Sequence, residues 1–194
     1  MIIGLMGGVG SGKSTVLDYL EKNYNAYIIQ SDIVAKEIME KGYEAYEKIK
    51  GNFSDCFDGD VINRERLSKT VFENENSLKL LNSITHPATV NEIKKRVEES
   101  QNPIIVVESA LLIGSGLDEI CTDLWFVFCE ENKRVQRIMD NRGYSKEKAY
   151  SIIANQPSDE EYNCAADEFI DNSYDINYTK EQIDILLSMM ECSF

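Results

Sequence analysis

The chain has 194 residues, 43% of them hydrophobic, which suffices for one packed core of single-domain size. Its 34 acidic residues against 20 basic ones give a net charge of −14, an acidity that argues against nucleic acid or an anionic membrane as the main partner. No apolar run approaches the ~20 residues that span a bilayer, and the first strand candidate leaves no room for a signal peptide. Five cysteines without C-x-x-C spacing, and a single histidine, make neither a disulfide framework nor a zinc site. A cytoplasmic protein is expected, monomeric or weakly self-associating.

In chain order, Ile2 to Met6 reads as a short buried strand that runs into Gly7-Gly8-Val9-Gly10-Ser11-Gly12-Lys13-Ser14. That segment fits G-x-x-x-x-G-K-[ST] in full, and Val16, Leu17, Leu20 and Tyr24 then give one apolar helical face. The glycines allow a tight turn whose N–H groups point inward, so that they and the N-terminal end of the helix converge on a phosphate chain. Gly8, Val9, Gly10, Ser11, Gly12, Lys13, Ser14 and Thr15 are therefore the expected nucleotide contacts. Lys13 reaches the β- and γ-phosphates, and Ser14 offers its hydroxyl to Mg²⁺.

A second strand over Ala26 to Gln30 leads to Asp32, which either faces a transferring phosphoryl group as a base or caps a helix beginning at Ile33. Residues 33–102 read as a helical excursion too long for a simple crossover. Its apolar stripes are Ile33, Val34, Ile38 and Met39, then Leu67, Val71 and Phe72, then Leu78 and Leu81, which lead to Ile84-Thr85-His86-Pro87 with His86 and Pro87 at a helix start. Lys36 and Arg64 meet substrate phosphates or form surface ion pairs. A third strand, Ile104 to Glu108, ends on an acid that orients a Mg²⁺-bound water or the acceptor, or else caps a helix.

After a fourth strand, Leu124 to Cys129, residues 133–148 carry six basic side chains against two acidic ones. Beside a phosphate loop, Arg134, Arg137 and Arg142 gain weight as a clamp, because a guanidinium stays charged and binds phosphate oxygens bidentately. Ser158 with Glu161 makes a capping box, a weaker strand follows near Glu168 to Ile170, and Thr179 with Gln182 makes a second box ahead of Ile183, Leu186, Leu187 and Met190.

This alternation predicts an α/β fold of three layers, a P-loop NTPase domain with a parallel five-stranded sheet, a helical substrate-binding insertion and a lid. The core is expected over 1–32, 103–130 and 165–194, the acceptor-binding insertion over about 33–102, and the lid over about 131–164. The strands' carboxyl ends then share one rim with the loop, Asp32 and Glu108. The base-reading signal N-K-x-D is missing, since Asn132-Lys133-Arg134-Val135 lacks its Asp. A small-molecule kinase fits better than a switch GTPase.

A family resemblance rests on Met1 to Val16, Ser31-Asp32-Ile33-Val34-Ala35-Lys36, Asn63-Arg64 to Leu67 with Val71-Phe72, and Leu81-Asn82-Ser83-Ile84-Thr85-His86-Pro87. It continues through Gln156, Ala166-Asp167 and Ile170-Asp171-Asn172. Together these segments resemble the dephospho-CoA kinase family, in order and over nearly the whole chain. The resemblance implies transfer of the ATP γ-phosphoryl group to the ribose 3′-hydroxyl of dephospho-CoA, the last step of coenzyme A synthesis, with Mg²⁺. It implies Asp32 as the acceptor-side acid, Arg142 as the lid arginine, and Lys36, Arg64, His86 and Glu108 near the substrate.

The family's Pro-Leu-Leu-Phe-Glu element reads Ala110-Leu111-Leu112-Ile113-Gly114 here. Ile152 and Tyr162 replace expected basic residues, and Gln30 stands where a first acid often precedes Asp32. A kinase for another nucleoside or small alcohol, and a nucleotide-binding regulatory protein without transfer activity, remain alternatives.

Overall fold

A computed structural model describes residues 1–110 and 112–191, which leaves Leu111 of the altered element, and Cys192, outside the described residues. The chain divides into two units, residues 1–28 with 101–194 and residues 29–100.

The elements of the first part are β1 (Ile2–Met6), α1 (Lys13–Tyr24) and β2 (Tyr27–Gln30), after which the chain enters the second unit. There it forms α2 (Ser31–Glu37), α3 (Glu44–Asn52), a hairpin of β3 (Phe57–Asp58) and β4 (Val61–Ile62), α4 (Arg64–Glu73) and α5 (Glu75–Glu99). The first unit resumes with β5 (Ile105–Glu108), β6 (Asp123–Phe128), α6 (Glu131–Arg142), α7 (Lys146–Ala154), α8 (Asp159–Ala165), β7 (Glu168–Asp171) and α9 (Ile176–Glu191).

The expected five strands form one sheet in the order β2-β5-β1-β6-β7. β1 lies in the middle, parallel to β5 with Ile3 opposite Val106 and parallel to β6 with Gly4 opposite Leu124, while β6 is parallel to β7. Strands covered on both faces carry continuous apolar runs, and here Ile3, Leu5, Val106, Val107, Trp125 and Val127 are all fully buried. Alternation along β6 sorts the two faces. Trp125 and Val127 join Val16, Leu17 and Leu20 of α1 and Ile183 and Leu187 of α9. Phe126 turns the other way, stacked on Tyr162 of α8 with ring centroids 5.2 Å apart. The helix pair α6 and α7 closes on Val135, Ile138 and Ala149, with Val9 of the loop packed against them.

Ser158 and Glu161 make the expected capping box at the start of α8. The second expected box is overturned. Thr179 lies inside α9, where its hydroxyl donates to Asn172 Oδ1 at 2.8 Å, and Gln182 braces Asp171 instead. Asp175 does the capping, its Oδ1 accepting from the N–H groups of Asn177 and Tyr178. A short acceptor four residues upstream outcompeted a threonine that a buried amide had already engaged.

In the unit 29–100, α5 packs against α2, α3 and α4. Its buried residues include Val34, Ile38, Tyr46, Ile49, Leu67, Ile84 and Ile93. Asn63 caps α4 and Asn74 caps α5, each side-chain oxygen accepting from N–H groups of the first turn. Three expectations fail here. His86 and Pro87 do not start a helix but lie within the 25-residue α5, where neighbouring turns and three packed helices offset the one backbone bond that Pro87 cannot make. Phe72 is 91% exposed, and Ile33 and Leu78 are also exposed, because the buried arc is narrower than the apolar stripes. The two-residue strands of the hairpin are too short to show alternation, so an all-helical reading passed over them. Among the described residues no helix is long and apolar enough to cross a membrane.

Candidate active site

The chain from β1 to α1 builds an anion cradle. Gly7, Gly10 and Gly12 all have positive φ, and Gly12, at φ +96°, is the left-handed residue immediately before α1. No side chain caps this helix, and a helix start of this kind can receive an anion. A Cβ on Gly12 would collide with the side-chain amide of Asn172, so both conformation and space require glycine there. Ser11 Oγ is buried and has no hydrogen-bond partner within the protein. An orphan hydroxyl beside an uncapped helix end fits a phosphate-binding loop.

Lys13 Nζ donates to the carbonyl of Gly7 at 2.8 Å and lies 3.7 Å from Glu108 Oε1 at the end of β5. The structure thus brings together two residues expected from sequence, and Glu108 starts no helix. Ser14 is exposed in the first turn of α1 and Thr15 is half-buried. In this unit Arg142 is exposed in the last turn of α6.

The other expected substrate residues belong to the unit 29–100. Asp32 is exposed in the first turn of α2, directly after β2. The residue before that helix is Gln30, so Asp32 is not its cap. Lys36 follows on the same helix, Arg64 begins α4 and His86 lies on α5, all three exposed.

Sequence reasoning undervalued the back of the loop. Arg137 NH1 donates to the carbonyls of Gly10 (3.2 Å) and Ser11 (3.1 Å), and its NH2 donates to Asn172 O at 3.0 Å. Asn172 Nδ2 also donates to Ser11 O at 2.7 Å. Arg134 Nε donates to Val9 O at 3.1 Å. A signal was available: Arg134 and Arg137 are three residues apart, each immediately before a core position, Val135 and Ile138, which keeps both beside the buried face of the helix. Near them, burial pushes the Cys129 thiol above its ordinary value, against the opposing pull of the surrounding cations.

The family model for dephospho-CoA kinase matches residues 1–177. The dephospho-CoA kinase of Carboxydothermus hydrogenoformans is 38% identical over 192 residues, covering 96% of this chain and 92% of that protein. That of Oceanobacillus iheyensis is 34% identical and covers 100% of this chain and 99% of its own. Among solved structures, one from Thermus thermophilus superposes with a TM-score of 0.80 at 25% identity, covering 97% of each chain. Dephospho-CoA kinase from Campylobacter jejuni has a TM-score of 0.73 at 23% identity, a likeness of fold, over 100% of this chain and 98% of that one.

Proposed function

This chain belongs to the dephospho-CoA kinase family, and we infer that it carries out the ATP-dependent phosphorylation step of coenzyme A biosynthesis, transferring the γ-phosphoryl group to the ribose 3′-hydroxyl of dephospho-CoA. The observation that carries the reading is the uncapped start of α1 behind a left-handed glycine, with the Lys13 ammonium beside it.

In this reading the loop of residues 8–15 holds the triphosphate, and Lys13 exchanges its present partners for β- and γ-oxygens. The Ser14 hydroxyl is accessible and suits a hard cation. A Mg²⁺ held there would neutralise negative charge on the nucleotide's phosphates. Asp32 takes the proton of the ribose hydroxyl as its oxygen bonds to the γ-phosphorus and the bond to the departing ADP oxygen breaks. Arg142, at an exposed helix end, compensates the equatorial charge. Residues 33–102 hold the acceptor, through Lys36, Arg64 and His86, with Glu108 at the sugar, and residues 131–164 form the lid.

The test is incubation of the purified protein with Mg²⁺, ATP and dephospho-CoA, with the CoA formed read by mass. Asp32→Asn is expected to lower turnover by about 10²-fold or more while ATP binding persists. Unchanged turnover in a folded Asp32→Asn protein removes that residue from its role, and CoA-free reactions with ADP formed from another alcohol redirect the acceptor assignment.

A further inference from the structure

Gly8 is a glycine for a reason that phosphate binding does not supply. Its φ lies outside the positive region that Gly7, Gly10 and Gly12 occupy. A Cβ at this position would instead land on the Arg134 guanidinium, 2.5 Å from Cζ. A Cβ on Gly10 would strike the backbone of the same residue, 2.9 Å from Arg134 O and 3.1 Å from its Cα. Two glycines of the phosphate loop are thus shaped around one residue of α6.

That residue is buried, with its side chain 4% exposed, and all three nitrogens of its guanidinium are engaged. Nε donates to Val9 O (3.1 Å), NH1 to Asp159 Oδ1 (3.1 Å) and NH2 to Gln156 Oε1 (3.2 Å). The Gln156 oxygen also accepts from the Val9 N–H at 2.8 Å. Both peptide planes flanking Val9 are therefore gripped, the preceding one through its N–H and the following one through its carbonyl. A loop that binds an anion through N–H groups fails when a peptide plane rotates and presents oxygen inward. Charge-assisted bonds to the outward carbonyls resist that rotation.

We propose that Arg134, locked by Gln156, is a positioning residue for the nucleotide's phosphate chain: it touches no substrate, and it holds the Val9 segment of the loop in its anion-binding conformation. This rests on the reading of the loop as a phosphate site. It is tested by binding rather than by CoA formation, so a protein that binds ATP but makes no CoA defeats the proposed function and leaves this inference standing.

Calorimetric titration of MgATP and of inorganic tripolyphosphate, each at a temperature where circular dichroism shows the variant folded, makes the test. Arg134→Ala is expected to weaken both ligands equally, by about ten- to a hundredfold, the range expected for charge-assisted hydrogen bonds. Arg134→Lys recovers part of the loss, since one ammonium cannot reproduce the planar fork. In steady state, KM for ATP rises by more than kcat falls. Gly8→Ala weakens binding in the wild-type background and adds nothing in the Arg134→Ala background, where its methyl finds space. Should Arg134→Ala fail to fold, Gln156→Met, at a half-buried position, is expected to weaken both ligands in the same direction. Binding of ATP and tripolyphosphate within twofold of wild type in a folded variant, with only the melting temperature lowered, overturns the proposal. So does additivity of Gly8→Ala and Arg134→Ala.

Discussion

Asn172 offers the most quantitative test of how the loop is supported. Its side chain bridges two buried partners, donating from Nδ2 to Ser11 O at 2.7 Å and accepting at Oδ1 from the Thr179 hydroxyl at 2.8 Å. Asn172→Ala removes both bonds and leaves the Arg137 bond to the Asn172 backbone carbonyl in place, so the variant reads the side chain alone. Ser11 O retains its bond from Arg137, and its loss amounts to about 1 kcal/mol. Thr179 is fully buried, so its orphaned hydroxyl carries a desolvation penalty of about 1–3 kcal/mol, the lower end applying if it turns back onto its own helix. The expected destabilisation is about 2–4 kcal/mol, which for a chain of this size lowers the melting temperature by about 5–15 °C. Urea unfolding followed by circular dichroism measures it. Thr179→Val removes the stranded hydroxyl, so the double variant should lose about 1 kcal/mol less than the sum of the singles. Strict additivity, or a loss under about 0.5 kcal/mol for Asn172→Ala, refutes the reasoning.

Two further outcomes follow from side chains that are not part of the loop. The ammonium groups of Lys41 and Lys50 hold the Asp60 carboxyl down to about 2, below the ordinary 3.8. A carboxylate depressed on folding contributes stability above its unfolded value and loses it as pH falls from about 4 toward 2. A carboxyl-carbon NMR titration of Asp60 should therefore find a midpoint near 2, shifting up toward 3.8 in Lys50→Ala or in high salt; a wild-type midpoint near 3.8 contradicts the ion pairs. Burial raises the Cys121 thiol to about 12, whereas Cys164 is exposed. At pH 8, iodoacetamide should modify Cys164 and spare Cys121, as read by peptide mass spectrometry, and early labelling of Cys121 would show that its surroundings open.

The legible parts of the fold were those written in local sequence. The strand–glycine–helix run of residues 2–24, the apolar strands ending at Glu108 and Phe128, and the box at Ser158 each follow from spacing alone. What failed depended on partners distant in sequence. Thr179 looked like a cap until Asn172 took its hydroxyl, and Pro87 looked like a helix start until packing against three helices carried α5 through it. At the site, the loop and the place of Glu108 on the same rim were within reach of the sequence. The embrace of the loop by Arg134 and Arg137 was legible only in part: their places beside core positions of α6 turn them inward, but nothing local names the loop carbonyls that they meet.

The central position of β1 governs how this protein comes into being on the ribosome. Its two neighbours, β5 and β6, are the strands at 105–108 and 123–128, so β1 has no hydrogen-bonding partner until the first of these is made and lacks its second until the other follows. At about 5–20 residues per second, that is a wait on the order of ten seconds, during which an apolar pentapeptide has no edge to join. Pairings this far apart in sequence close slowly even afterwards. The nucleotide loop, anchored at one end by β1, is therefore among the last features of the nascent chain to take shape.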